Sequence, residues 1–188
     1  MIRGSSGSGG EQRAYHHGHL REALVAAGVE LARTGGPNAV VLRAASRQAG
    51  VSHNAVYRHF ANQEDLLAAV AQRCLTQLSA LMIERMERIT VRDRVRRATA
   101  RLGAVGRAYI DFARSEPGWF RTAFSSARPH DAVAAEPATA DCTDAAPVPT
   151  PYDVLRAALD ELVEVGALTR QRRVGAEYAA WSAVHGLS

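Results

Sequence analysis

A hydroxyl, an imidazole and a carboxamide stand in succession at Ser52, His53 and Asn54, followed by a phenol at Tyr57 and a second imidazole at His59. Such side chains donate and accept hydrogen bonds, which suits them to reading the edge of another molecule. Covalent chemistry has less to work with. The chain has no phosphate-cradling glycine loop, no GxSxG, no HExxH and no carboxylate pair at helical spacing beside a histidine, so an enzyme is not expected. Cys74 and Cys142 lie far apart and form no CxxC pair. They read as free thiols, with no zinc site and no cofactor. His16, His17 and His19 could bind a metal, but His17 and His19 flank Gly18 and no cysteine joins them, so no metal site is expected.

The elements that must hold these residues are almost all helical. Leu20, Leu24, Ala27 and Leu31 recur at four, three and four positions, one face of a helix over 19–33. Gly35, Gly36 and Pro37 stop it. Short helices are expected over 42–49 and 53–59, the second capped by the Ser52 side chain. Asn62 caps a long helix over 63–88, with Leu66, Val70, Cys74, Leu78, Leu81 and then Met82 or Met86 on its buried stripe. Further helices are expected over 91–114, Trp119 to Phe124, 152–166 and 172–187. No repeat and no strand pattern is present.

Two segments differ in composition. Residues 1–14 begin MIRGSSGSGG, without an apolar core that would make a secretory signal, and read as a disordered leader or linker. Residues 126–151 are rich in Ala, Pro, Asp and Thr, with five prolines between Pro129 and Pro151. They bury too little apolar surface to offset ordering entropy and read as a flexible loop. No stretch is long and apolar enough to predict a membrane span, and a cytoplasmic location is expected. The last helix is apolar and uncapped at Ser188, so a chain continuing past that residue is an open expectation.

The net charge is +4, and all 23 basic residues are arginine. Any phosphate contact must therefore come from Arg, His, neutral side chains or backbone amides. A mildly basic chain is compatible with nucleic acid without demonstrating it. Arg92, Arg94, Arg96 and Arg97 read as a solvated helix face, with an anionic partner surface as the alternative.

The stretch Leu42 to Phe60 has the mechanics of a helix-turn-helix. Two helices crossing steeply need a tight turn, and Gly50 supplies the positive φ it requires. Ala45, Ser46 and Ala49 are small enough for close approach, and Leu42, Val51 and Val56 fill the wedge. Such a second helix lies in the major groove of DNA with its first residues against base edges.

LRAASRQAGVSHNAVYRHFANQEDLLAAV, with YHHGHLREALVAAGVELARTGG upstream, resembles the DNA-binding signature of the TetR family of transcriptional regulators from Tyr15 to Val70. More weakly, Tyr109 to Ala113, Glu116 to Arg121 and Trp181 with His185-Gly186-Leu187 resemble a ligand-domain pattern found in part of that family. The resemblance implies an all-α fold. Residues 15–75 would form the DNA-binding domain (motif 42–60), and 76–188 a ligand-binding and dimerisation domain. It implies a homodimer on a double-stranded palindromic operator, most simply a repressor released by a small, mostly apolar effector. Activation, ligand-independent binding, or a pure small-molecule binding module with a decayed DNA head stays open.

The resemblance also assigns contacts. Ser52, His53 and Asn54 would open the recognition helix, with Asn54 able to pair with adenine and His53 with a base edge or phosphate. Tyr57 and His59 match backbone-holding positions, Arg43 would reach a phosphate, and Arg47 is evenly balanced between contact and solvent. Gln63 stands where many relatives carry Lys, which lowers the expected salt dependence while the helix terminus still offers amides to an anion. The histidines at 16, 17 and 19 would lie in an arm beside the DNA. For the effector, Met82, Met86, Tyr109, Phe112, Trp119, Phe120, Phe124 and Trp181 are candidates, Tyr109 and Trp181 with polar handles; most are also candidate core. The last two helices are the expected dimer interface, with Val154, Leu155, Leu159, Leu162 and Val165 on the first of them.

Overall fold

The computed structural model describes residues 8–125 and 148–186, with side chains from residue 19 onward in the first span. Residues 1–7, most of the expected loop (126–147, Cys142 included) and the last two residues lie outside the described residues, as do the side chains of His16 and His17. Among the described residues every regular element is a helix, so the fold is all-α as expected.

The first helix, α1, runs Ser8–Gly35 and so begins well before residue 19, inside the segment expected as a leader. It ends at Gly36, where φ is 68°, before a short 3-10 turn at Pro37–Ala39. Two short helices follow, α2 (Leu42–Gln48) and α3 (His53–Val56). The long α4 covers Gln63–Glu87, and the Asp65 amide donates to Asn62 Oδ1 at 2.8 Å, the expected cap. Helix α5 runs Arg94–Ser115, starting later than residue 91 because Asp93 accepts the Arg96 amide at 2.8 Å. Helix α6 is Pro117–Ala123 and α7 is Pro151–Glu164, the latter opened by a capping box between Thr150 and Asp153. The helix expected over 172–187 is broken in two, α8 (Arg170–Arg173) and α9 (Ala176–His185), by the left-handed Gly175.

Helix α4 organises the chain because its stripe serves two cores in turn. Its N-terminal half, with Leu66, Val70 and Cys74 fully buried, packs with Leu24, Val40, Val56 and Phe60 around α1, α2 and α3. Its C-terminal half, with Leu78, Met82 and Met86, packs with Tyr109, Phe112 and Leu159 from α5 and α7. Leu81 is only half-buried. Ser79 takes the buried position instead, its hydroxyl donating to the Leu75 carbonyl at 3.1 Å. By length and composition α4 could cross a membrane, yet this stripe is spent inside the protein. One expectation needs correcting. Val154, Leu155, Leu159 and Leu162, expected at a dimer interface, are buried in this chain's own second core, and Val165 packs against its edge. An isolated α7 would need a partner for that stripe; here α4 and α5 already provide one.

Candidate nucleic-acid interface and sensing cavity

The helix-turn-helix is held by backbone geometry. The Val51 amide donates to the Ser46 carbonyl at 3.0 Å and the Gly50 amide to the Arg47 carbonyl at 3.3 Å, the paired bonds of a Schellman ending for α2. Gly50 sits at φ +68, and no atom lies within 4 Å of where its Cβ would be. Glycine is therefore required by the dihedral and not by space. Leu42 and Val56 are buried, with Val51 packed on the same core. Ser46 is buried and donates to the Arg43 carbonyl at 3.0 Å. The Ser52 position caps α3, but its side chain makes no capping bond, contrary to expectation. Ser52 is exposed, as is Asn54.

Arg43, His53, Tyr57 and Gln63 come together around one depression of about 480 Å³, completed by Ala61 and Asn62. Tyr57 is 51% exposed although it is a large aromatic, so packing does not explain it. The His53 ring meets it edge-on at 5.0 Å and holds its orientation. Nδ1 of His53 is buried and meets no hydrogen-bond partner. Ser52, Asn54 and Arg47 are exposed outside this depression, and His59 is half-buried. The N-terminus of α4 is less available to an anion than its sequence suggested. Asn62 already takes the Asp65 amide, the Asp65 carboxylate takes the Ala61 amide at 3.2 Å, and Glu64 and Asp65 stand in the first turn. Arg58, exposed beside Tyr57, was passed over among the expected contacts, although its place in the motif was the signal for it.

Helix α6 ties this head to the second core. Gly118 lies so close to α1 that a Cβ would stand 2.2 Å from the Arg33 carbonyl oxygen and 2.3 Å from that of Ala32. Trp119 Nε1 donates to the Val29 carbonyl at 2.8 Å, and Arg33 makes a two-pronged pair with Glu116 at 2.8 and 2.9 Å. The Arg33 guanidinium also lies over the Trp119 ring at 5.1 Å. Trp119 thus belongs to the joint between the two cores, and Phe112 stacks on it at 6.3 Å.

Of the expected effector residues, Met82, Tyr109 and Trp181 line one cavity of about 230 Å³ between α4, α5, α7 and α9. Met86 lines a different depression, with Ile83 and Val154. Phe120 and Phe124 contact Tyr109 at 5.4 and 6.0 Å without lining the cavity, so they back its wall. Gly106 and Val184 also line it and were not anticipated, because small or aliphatic residues on an amphipathic helix carry no distinguishing mark. The Tyr109 hydroxyl shares a 2.7 Å hydrogen bond with His185 Nδ1. Burial pushes the Tyr109 phenol up, so it stays protonated. No group of metal-binding side chains occurs among the described residues.

A family model described as bacterial regulatory proteins, tetR family, matches residues 24–70, and one described as tetracyclin repressor-like, C-terminal domain, matches 102–188. No curated protein matches the sequence. Among solved structures, a protein of unknown function from Rhodococcus sp. RHA1 is similar, with a TM-score of 0.59 and 24% identity over 92% of this chain and 82% of that one. A gamma-butyrolactone receptor (ArpA-like protein) aligns with a TM-score of 0.46 and 20% identity over 91% of this chain and 83% of that one.

Proposed function

The chain belongs to the TetR family of DNA-binding transcription regulators, and from that premise we propose that it is a homodimeric, cytoplasmic repressor released from a palindromic operator by a small apolar effector. The observation that carries the sensing part of this reading is the position of α6. Its Trp119 and Gly118 are fixed to α1 of the DNA head, while its Phe120 and Phe124 back Tyr109 at the cavity. A molecule that displaces the Tyr109 wall pushes on an element that cannot move without α1.

In the DNA-bound state, Arg43, Tyr57 and Gln63 hold phosphate around their shared depression, with His53 supporting Tyr57. Ser52 and Asn54, exposed at the start of α3, face base edges. Arg47 and His59 are secondary contacts. One such surface covers one half-site, and a two-fold dimer matches a palindrome. Because the α7 stripe is buried, the dimer forms through outward faces, where α9 presents Tyr178 at 51% exposure beside Ala179 and Ser182.

The test is selection of bound duplexes from a random DNA pool at two salt concentrations, followed by challenge of the selected complex with the small-molecule fraction of a cell extract. An enriched palindrome that persists at the higher salt, and release by the fraction, are the expected results. Binding that vanishes with salt and selects no sequence would reduce the interaction to nonspecific electrostatics.

A further inference from the structure

The cavity behind Tyr109 is specific enough in chemistry to name what it takes. Its walls are aliphatic, aromatic or small, among them Met82, Val105, Leu155 and Trp181, and no charged side chain lines it. An ion entering it would lose its hydration without a counter-charge, which the interior does not tolerate. The polar handles among the lining residues are the Trp181 indole N–H and the Tyr109 hydroxyl, the latter already engaged by His185 Nδ1 at 2.7 Å. A phenol in one such bond still has one hydrogen-bonding valence left, to donate or to accept. The volume, about 230 Å³, lies below the usual range for drug-sized ligands. At a liquid-like share of roughly 20–30 Å³ per non-hydrogen atom it holds on the order of ten such atoms.

We propose that this cavity binds an uncharged, compact, largely apolar molecule bearing one hydrogen-bonding group, which Tyr109 reads with His185 fixing its hydroxyl. The assignment rests on the sensing reading of the C-terminal half and narrows it. The cavity has a built-in control point at Gly106. A Cβ there would meet only Val184 Cγ1, at an ordinary 3.6 Å, so a larger side chain at this position enters the cavity without displacing backbone.

The experiment measures binding of 2-naphthol, naphthalene and 2-naphthoate to the full chain by calorimetry, with Tyr109→Phe and Gly106→Leu as variants. These probes share one ring system and differ in polarity and charge. A single hydrogen bond at a buried site, near 1 kcal/mol, predicts that naphthol binds roughly fivefold to tenfold more tightly than naphthalene. Naphthoate is expected not to bind. Tyr109→Phe should bring naphthol down to the affinity of naphthalene while leaving naphthalene unchanged, a result that general unfolding cannot imitate. Gly106→Leu should lose both neutral probes while helical circular dichroism and DNA binding persist. Naphthoate binding as tightly as naphthol, or naphthol indifferent to Tyr109→Phe, would overturn the proposal, and so would the absence of binding by all three probes. The sensing reading is judged apart from these outcomes, by release of the selected DNA with the extract fraction. Release without probe binding would sink the ligand class alone.

Discussion

Replacing Gly118 with alanine probes the joint between the two cores directly. The added Cβ would lie 2.2 Å from the Arg33 carbonyl oxygen, whereas carbon and oxygen ordinarily approach to about 3.3 Å. Both offending atoms are backbone, so α6 must retreat by about 1 Å. The Trp119–Val29 bond, 2.8 Å now, would then open to about 3.8 Å, beyond hydrogen-bonding range. Overpacking of this kind costs about 1–3 kcal/mol, the lost bond adds about 1, and the better helix propensity of alanine returns up to about 1. The net loss is about 1–3 kcal/mol. With a urea slope of about 1–3 kcal/mol per molar, the unfolding midpoint should fall by on the order of 1 M at fixed protein concentration. Gly106→Ala is the internal control, since its Cβ meets only ordinary contact, and its midpoint should hold or rise. Equal midpoints for the two variants would refute the claim that α6 is seated on the α1 backbone.

Other expectations follow from the same geometry. Asn54→Ala should lose about 1–3 kcal/mol of binding at one base position, read as a changed preference in the selected duplexes, and an unchanged preference would remove Asn54 from base reading. Tyr57→Phe should weaken binding evenly across sequences, because a phosphate contact carries no base information; an effect confined to one base pair would contradict it. Cys74 is wholly buried, and that burial pushes its thiol up to about 12. The raised value means that stability tied to this group is intact below pH 9 and is lost as pH climbs towards 12. At pH 8 the Cys74 thiol should react with a disulfide reagent only as fast as the protein opens, and prompt reaction in the native state would show the site to be accessible. Tyr178→Glu, on the exposed face of α9, should shift sedimentation towards monomer; an undisturbed dimer would place the interface elsewhere.

How far the sequence reveals this arrangement depends on whether a feature is local. The turn at Gly50, the cap at Asn62 and the stripe of α4 through Leu66, Val70, Cys74 and Leu78 rest on residues near one another in the chain, and each stands where its spacing put it. Misreadings arise where distant elements compete. The apolar face of α7 looks like an interface until α4 and α5 are found covering it. Trp119 looks like an effector residue until its indole is found on the carbonyl of Val29, far upstream. Ser52 has the right chemistry for a cap, but its position does not decide whether the hydroxyl turns inward, and here it makes no such bond. Gly118 stood inside the resembling stretch Glu116 to Arg121, but nothing local marked its packing role, because the need for a missing Cβ comes entirely from α1. Among the polar residues, sequence alone could nominate Arg43, His53, Tyr57 and Gln63 but could not place them around one depression.

The small cavity is adequate for the task assigned to it. An effector shifts a repressor only by the difference in its affinity for the two states, not by its total affinity. Weakening DNA binding a hundredfold needs a difference of about 2.7 kcal/mol. A ligand of about ten non-hydrogen atoms, at roughly 0.3–1.5 kcal/mol per atom, has at most about 3–15 kcal/mol in all. Between about a fifth and nearly all of its binding must therefore be contingent on the state of the protein, and the Tyr109 wall provides that contingency. Tyr109 touches Phe120, Phe124, Trp181 and His185 at once, so it cannot shift for a ligand without moving α6 or α9. Movement of α6 is resisted by the Gly118 contact and the Trp119 bond to α1, and in the proposed reading that resistance is the coupling. If the proposed function holds, a looser joint should therefore give a protein that still binds effector and still binds DNA, but no longer lets one report on the other. Trp119→Phe, which removes the indole donor while keeping an aromatic ring, should show this as effector affinity within twofold of the parent and operator release reduced by roughly fivefold, the equivalent of one lost hydrogen bond. Release at parental effector concentrations would place the coupling outside α6.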